Sequence, residues 1–132
     1  MPGADPTHWL HRLDAVEWLA AADTELEHCV EALARRAFRP GVTHARRAAG
    51  MACNALLTRE AHPAWGRSYM EHVVALVDEA VAPDDVRQAA RLLRDTPPAP
   101  PALVTLGKPD VRPLEAARRI IDWSRERVAA LS

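Results

Sequence analysis

The sequence predicts an all-α protein, a five-helix up-and-down bundle with a proline-rich irregular crossover before its last helix. Three observations carry that expectation. Apolar residues recur at helical spacing through most of the chain, while strand-like β-branched alternation is confined to the short stretch "ALVTLG". Cap signals, glycines and prolines cut the periodic stretches into segments of helix length. The chain has 132 residues, 48% hydrophobic and 27% charged, which suits one domain with a sizeable core. Residues 1–132 are therefore read as a single domain.

The first helix is expected to start where Asp5 precedes Pro6, a cap followed by proline at the first helical position. Trp9, Leu10, Leu13, Val16, Leu19, Leu26, Val30 and Leu33 then trace an inward stripe, with a break near Asp14. Pro40 and Gly41 in "RPGVT" are expected to stop it. Thr43 is read as the cap of a second helix, "HARRAAGMACNALLTRE", ended by "AHPAWG" at Pro63. Its inward face of Ala45, Ala49, Ala52, Cys53 and Leu56 is built largely of small residues, so a neighbouring helix can approach closely. The third helix begins near Ser68 and turns Met70, Val73, Val74 and Val77 inward. The fourth begins at Pro83, with Asp84 and Asp85 where the helix dipole favours acids, and buries Val86, Ala89, Ala90 and Leu93. Prolines 97, 98, 100, 101, 109 and 113 deny regular structure to residues 96–113 and predict a stiff crossover packed on the bundle. Pro113 opens the last helix, with Leu114, Ala117, Ile120, Ile121, Ser124, Val128 and Leu131 inward.

Composition removes several function classes. Net charge is −1, from 17 basic and 18 acidic side chains, so any nucleic-acid contact must come from a local patch. The start of the chain lacks the apolar run of a signal peptide and no stretch approaches a membrane span, so a cytoplasmic protein without membrane contact is expected. Cys29 and Cys53 lack a C-x-x-C spacing and read as small buried hydrophobes. His8 and His11 sit three residues apart, a spacing too unspecific to assign a site, so no metal and no cofactor are expected. No glycine loop of the Walker or Rossmann type and no G-x-S-x-G occurs, which leaves kinase, dehydrogenase and classical hydrolase readings without support. Trp9, Trp18, Trp65 and Trp123 read as core or interface anchors, and with the small-residue second helix they lead us to expect a homodimer.

Two stretches carry possible chemistry. In "RSYMEH", Ser68 and Glu71 match the capping box S-x-x-E at a helix start. Arg67 is then the residue before the cap and His72 the fourth of the helix, positions that meet across a helix entrance. On an unbroken helix, residues five apart diverge by roughly 140°. The cap thus makes the R-x4-H pair Arg67 and His72 plausible for RNA cleavage, the guanidinium meeting phosphate and a neutral imidazole acting as base. On that reading the guanidinium keeps His72 neutral, and His72→Gln abolishes cleavage with little effect on stability. The plainer reading is helix punctuation, an exposed arginine beside a partly buried histidine. The second stretch, "RRAFRPGVTHARR", holds Arg35, Arg36, Arg39, His44, Arg46 and Arg47 with no acid. The dipole of the first helix explains Arg35 and Arg36, whereas Arg46 and Arg47 near a helix start are less expected. A phosphate or nucleic acid held by Arg39, Thr43, His44, Arg46 and Arg47 would resolve that conflict; a solvated basic turn is the alternative.

Three stretches, "WLAAADTELEHCVEAL", "HARRAAGMACNALL" and "PLEAARRIIDWSRERV", resemble in order the first, second and last helices of the HEPN family, helical domains of prokaryotic defence, toxin–antitoxin and nucleotidyltransferase-associated proteins. The resemblance covers about half the chain. It implies a HEPN-like bundle and, in ribonuclease members, an R-x4-6-H motif at a dimer interface that acts without a metal. Arg67 and His72 fit that spacing. Ser68 departs from the Asn, Asp or His that the family favours after the arginine, and "SYMEHVVALV" also resembles an ordinary third-helix start. The expected function is therefore a dimeric domain that binds RNA, nucleotide or a protein partner without catalysis. The alternatives are an endoribonuclease using Arg67 and His72, or a pure interaction module for a nucleotidyltransferase or a toxin–antitoxin partner.

Overall fold

Local caps account for most of the helix boundaries. In the computed structural model, which describes residues 9–97 and 110–131, Leu10–Arg12 forms a short 3-10 turn that ends before Asp14. Asp14 then opens α1 (Ala15–Ala34) with a reciprocal capping box, accepting from the Glu17 amide at 2.8 Å while Glu17 accepts from its own at 3.0 Å. The break expected near Asp14 is thus a new helix start. It re-phases the inward stripe, which runs through Ala15, Trp18, Ala22, Glu25, Cys29 and Ala32. Val16 and Val30, read as inward, are rotated out and stand 69% and 43% exposed. Trp18 donates its indole N–H to the Leu10 carbonyl at 2.8 Å, tying the 3-10 turn to the helix. The expected start at Asp5 lies outside the described residues.

The stop of α1 comes earlier than Pro40 and Gly41. Ala37 donates to the Ala32 carbonyl at 2.8 Å and Arg36 to the Leu33 carbonyl at 3.0 Å, the bond pattern of a Schellman cap. Arg36 adopts φ 61° at the position where glycine is usual. α2 (Phe38–Leu57) follows at once, with Pro40 and Gly41 in its first turn. A proline is harmless there because its missing N–H would have had no helical partner. Thr43, read as the cap, instead lies inside α2 and bonds back to the Arg39 carbonyl at 3.1 Å. The helix ends at Leu57 rather than at Pro63, where the Thr58 hydroxyl takes the Ala55 carbonyl at 2.7 Å. Pro63–Trp65 forms a second 3-10 turn.

α3 (Tyr69–Leu76), α4 (Asp84–Asp95) and α5 (Arg112–Ala130) complete an all-α bundle of five packed helices, with no strand among the described residues. Asp84 and Asp85 fill the first turn of α4, and Pro113 the first turn of α5, as expected. The centre of the 96–113 crossover, including "ALVTLG", lies outside the described residues. α1 and α2 form an antiparallel hairpin: Leu33 faces Gly41 near the turn, while Glu25 farther back meets His44 and Arg47. α2 is the central helix, packed on α1, α3 and α5, and its alanine and glycine face lets those neighbours approach. The closest approach is at Gly50, where an added Cβ would lie 2.6 Å from the Tyr69 Cα.

Cys29 and Cys53 are free and buried, and burial pushes the Cys29 thiol up to about 11 and the Cys53 thiol higher still. Trp18, Trp65 and Trp123 are core residues, whereas Trp9 is half-buried. Val74 and Leu131, also read as inward, are 46% and 41% exposed, Leu131 standing just beyond the last residue of α5 as its C-cap. At the far end of the bundle, Arg127 of α5 clasps Glu60 through two bonds of 3.0 Å, securing the segment after α2.

Candidate functional site

The chain reverses into α3 at Gly66, whose φ of 72° suits glycine and few other residues. Ser68 follows as the N-cap, its hydroxyl accepting from the Glu71 amide at 3.1 Å. This cap was legible in the sequence, although the reciprocal bond from the Glu71 side chain is not formed. Beyond the cap, Arg67 and His72 part company. Arg67 is exposed, and His72 is fully enclosed at 0% exposure.

Both ring nitrogens of His72 are occupied. Nδ1 lies 2.8 Å from the Trp65 carbonyl, and Nε2 lies 2.7 Å from the Asn54 side-chain amide. A neutral imidazole has one N–H, and a carbonyl can only accept, so Nδ1 carries the proton. Nε2 must then accept; the atom placed 2.7 Å from it is Asn54 Oδ1, and the Asn54 amide is therefore turned over, so that its NH2 end donates to the ring. Burial lowers the His72 pKa below 6.5, outweighing the Trp65 carbonyl and the Glu71 charge, which both raise it. His72 is thus kept neutral, as expected, but by desolvation rather than by Arg67. The two residues share a neighbour rather than a bond. The Trp9 indole stacks on the His72 ring at 6.2 Å, and the Arg67 guanidinium carbon sits 5.3 Å from the Trp9 ring centre. His72 joins α3, α2 and the Pro63–Trp65 turn, and it has no open side from which to take a substrate proton.

The basic stretch is divided in the same way. Arg46 donates through Nε to the Leu93 carbonyl at 2.9 Å and through Nη2 to the Thr96 carbonyl at 3.0 Å. It thereby caps the last turn of α4, where the helix dipole favours a cation. Because α2 starts at Phe38, Arg46 and Arg47 lie two turns inside it, and the expected conflict with its N-terminal dipole disappears. His44 Nδ1 meets Glu25 Oε2 at 2.7 Å, and Arg47 Nη2 meets Glu25 Oε1 at 3.2 Å. Thr43 is turned to its own helix. What remains is Arg35, Arg36 and Arg39, exposed at the α1–α2 turn and without an ion-pair partner among the described residues.

No family model, curated protein or solved structure matches this chain. The functional reading therefore rests on the geometry of its own side chains. One grouping escaped the sequence reading: Glu25 and His28 on α1 converge with His44 on α2. Glu25-x-x-His28 was visible as a one-turn spacing, but nothing local announced that His44 would face it. His11, weighed as a ligand with His8, is exposed in the first 3-10 turn, and His8 lies outside the described residues. No helix among the described residues is long and apolar enough to cross a membrane.

Proposed function

We propose that this protein is a non-catalytic, HEPN-like helical domain that binds RNA through the α1–α2 turn. The observation that carries the reading is the exposed trio Arg35, Arg36 and Arg39, left unpaired while every other basic group of the stretch is used internally. The trio spans five residues of a turn, which suits successive phosphates of a chain better than one nucleotide. α2 begins beside it with no acid in its first turn and no side-chain cap, adding a positive helix end to the three guanidiniums. The enclosure of His72 supports the non-catalytic half of the reading. Fluorescence anisotropy with a single-stranded RNA tests it. The expected result is binding that weakens with salt at a log–log slope of about −2 for three phosphate contacts, with the RNA recovered intact. Arg35→Ala, Arg36→Ala and Arg39→Ala combined should weaken binding about tenfold or more. Equal affinity of that variant would overturn the assignment of the turn, and RNA shortened by wild type but left intact by His72→Gln protein shown to be folded would reverse the reading in favour of the endoribonuclease.

Self-association belongs to the same reading, on a different surface from the tryptophans. Val16 is 69% exposed and lines a groove between α1 and α5 with Ala20, Val128 and Ala129. Joining two such grooves would cover apolar surface that the single chain leaves in water. Multi-angle light scattering at micromolar concentration should give twice the 14.5 kDa chain mass, and Val16→Asp should return it to one. A monomer at every concentration would end this part of the proposal. A nucleotidyltransferase-type or toxin–antitoxin protein seated in that groove is then the alternative occupant.

A further inference from the structure

Glu25, His28 and His44 are the one set of three metal-ligand side chains among the described residues whose donor atoms all lie within 4.8 Å of one another. Glu25 and His28 are three residues apart on α1 and share a face, and His44 meets them from α2. Ligands held at ~2.1 Å around a tetrahedral zinc ion are about 3.4 Å apart, so small side-chain rotations close the set. Glu25 Oε2 and His44 Nδ1 are hydrogen-bonded at 2.7 Å, so an entering ion breaks that bond, releases its proton to solvent and spreads the pair to about 3.4 Å, while the His28 and His44 rings already meet edge to face at 5.2 Å. Glu25 is a buried carboxylate in the otherwise apolar stripe of α1, with Arg47 at one oxygen and the His44 ring at the other. Arg47 holds its other oxygen at 3.2 Å and so orients the one facing the histidines. His28 is exposed and His44 half-buried, leaving the site open to an entering ion and to a water as fourth ligand.

We propose that Glu25, His28 and His44 bind a divalent transition metal of the zinc class, two imidazoles and one carboxylate stapling the middle of the α1–α2 hairpin. The site is independent of the RNA reading, since Glu25 lies ten residues before Arg35, about 15 Å along the helix axis. Zinc alone, titrated calorimetrically into the full chain at neutral pH, tests it. One ion per chain is expected, with His28→Ala and His44→Ala each weakening uptake about tenfold or more. His11→Ala should leave uptake unchanged. His28 is exposed, so its replacement spares the fold, which circular dichroism confirms. Cobalt(II) provides a second readout, a visible absorption band of low-coordinate cobalt that His28→Ala should abolish. Absence of zinc uptake at submillimolar concentration, or uptake indifferent to both histidine substitutions, overturns the proposal.

Discussion

Replacing His72 by alanine is expected to cost about 3–5 kcal/mol of folding stability, measured by urea denaturation. Three losses act together. A fully buried ring leaves a cavity in a close-packed interior. The Trp65 carbonyl and the Asn54 amide both lose their partner inside the protein, and each unsatisfied group costs about 1–3 kcal/mol. The apolar contact with the Trp9 ring goes as well. His72→Gln, which the sequence reading expects to be nearly neutral, should also destabilise, because its amide cannot reach both partners from the imidazole's position. A loss below about 1 kcal/mol for His72→Ala would show that the ring is not a buried strut. The same residue sets a pH dependence. Burial depresses the folded-state pKa below the ordinary value of 6.5, so the unfolded chain takes up a proton first as the pH falls. The His72 contribution is therefore intact above 6.5 and declines below it, by up to ~1.4 kcal/mol per pH unit, until the folded-state pKa is reached. The difference between wild type and His72→Ala should shrink over that window.

Gly50→Ala is expected to destabilise by about 2 kcal/mol net, and here the sign is diagnostic. On an exposed helix the change would stabilise by up to ~1 kcal/mol, since alanine is the better helix former. At Gly50 the new methyl would sit 2.6 Å from the Cα of Tyr69, a backbone atom at the start of α3 that cannot rotate aside. Relief requires moving α3, and with it the Ser68 cap and the bonds of His72. Overpacking of that kind costs about 1–3 kcal/mol and occasionally more, enough to outweigh the propensity gain. A more stable Gly50→Ala variant would mean that α3 does not rest on α2 at this point.

What the sequence by itself determined is local. The Ser68 cap, the acids opening α4, Pro113 in the first turn of α5 and the break at Asp14 all depend on partners within four residues, so spacing alone reveals them. Even there, two local signals competed at the α1–α2 turn. Pro40 and Gly41 look like a stop, yet a proline is tolerated in the first turn of a helix, and the Schellman bonds of Arg36 and Ala37 end α1 first. The small-residue face of α2 was legible too, but its central place, with helices on three sides, was not. The tertiary structure alone decided which side chains are available. Asn54 lies 18 residues before His72 and removes it from solvent. Leu93 lies 47 residues beyond Arg46 and turns an apparent ligand for phosphate into a helix cap. Glu25, 19 residues before His44, draws in both His44 and Arg47. Helical periodicity tells which face of a segment is inward, but not which distant residue will stand opposite. Availability of a charged or basic group is a property of that opposite residue, and only packing supplies it.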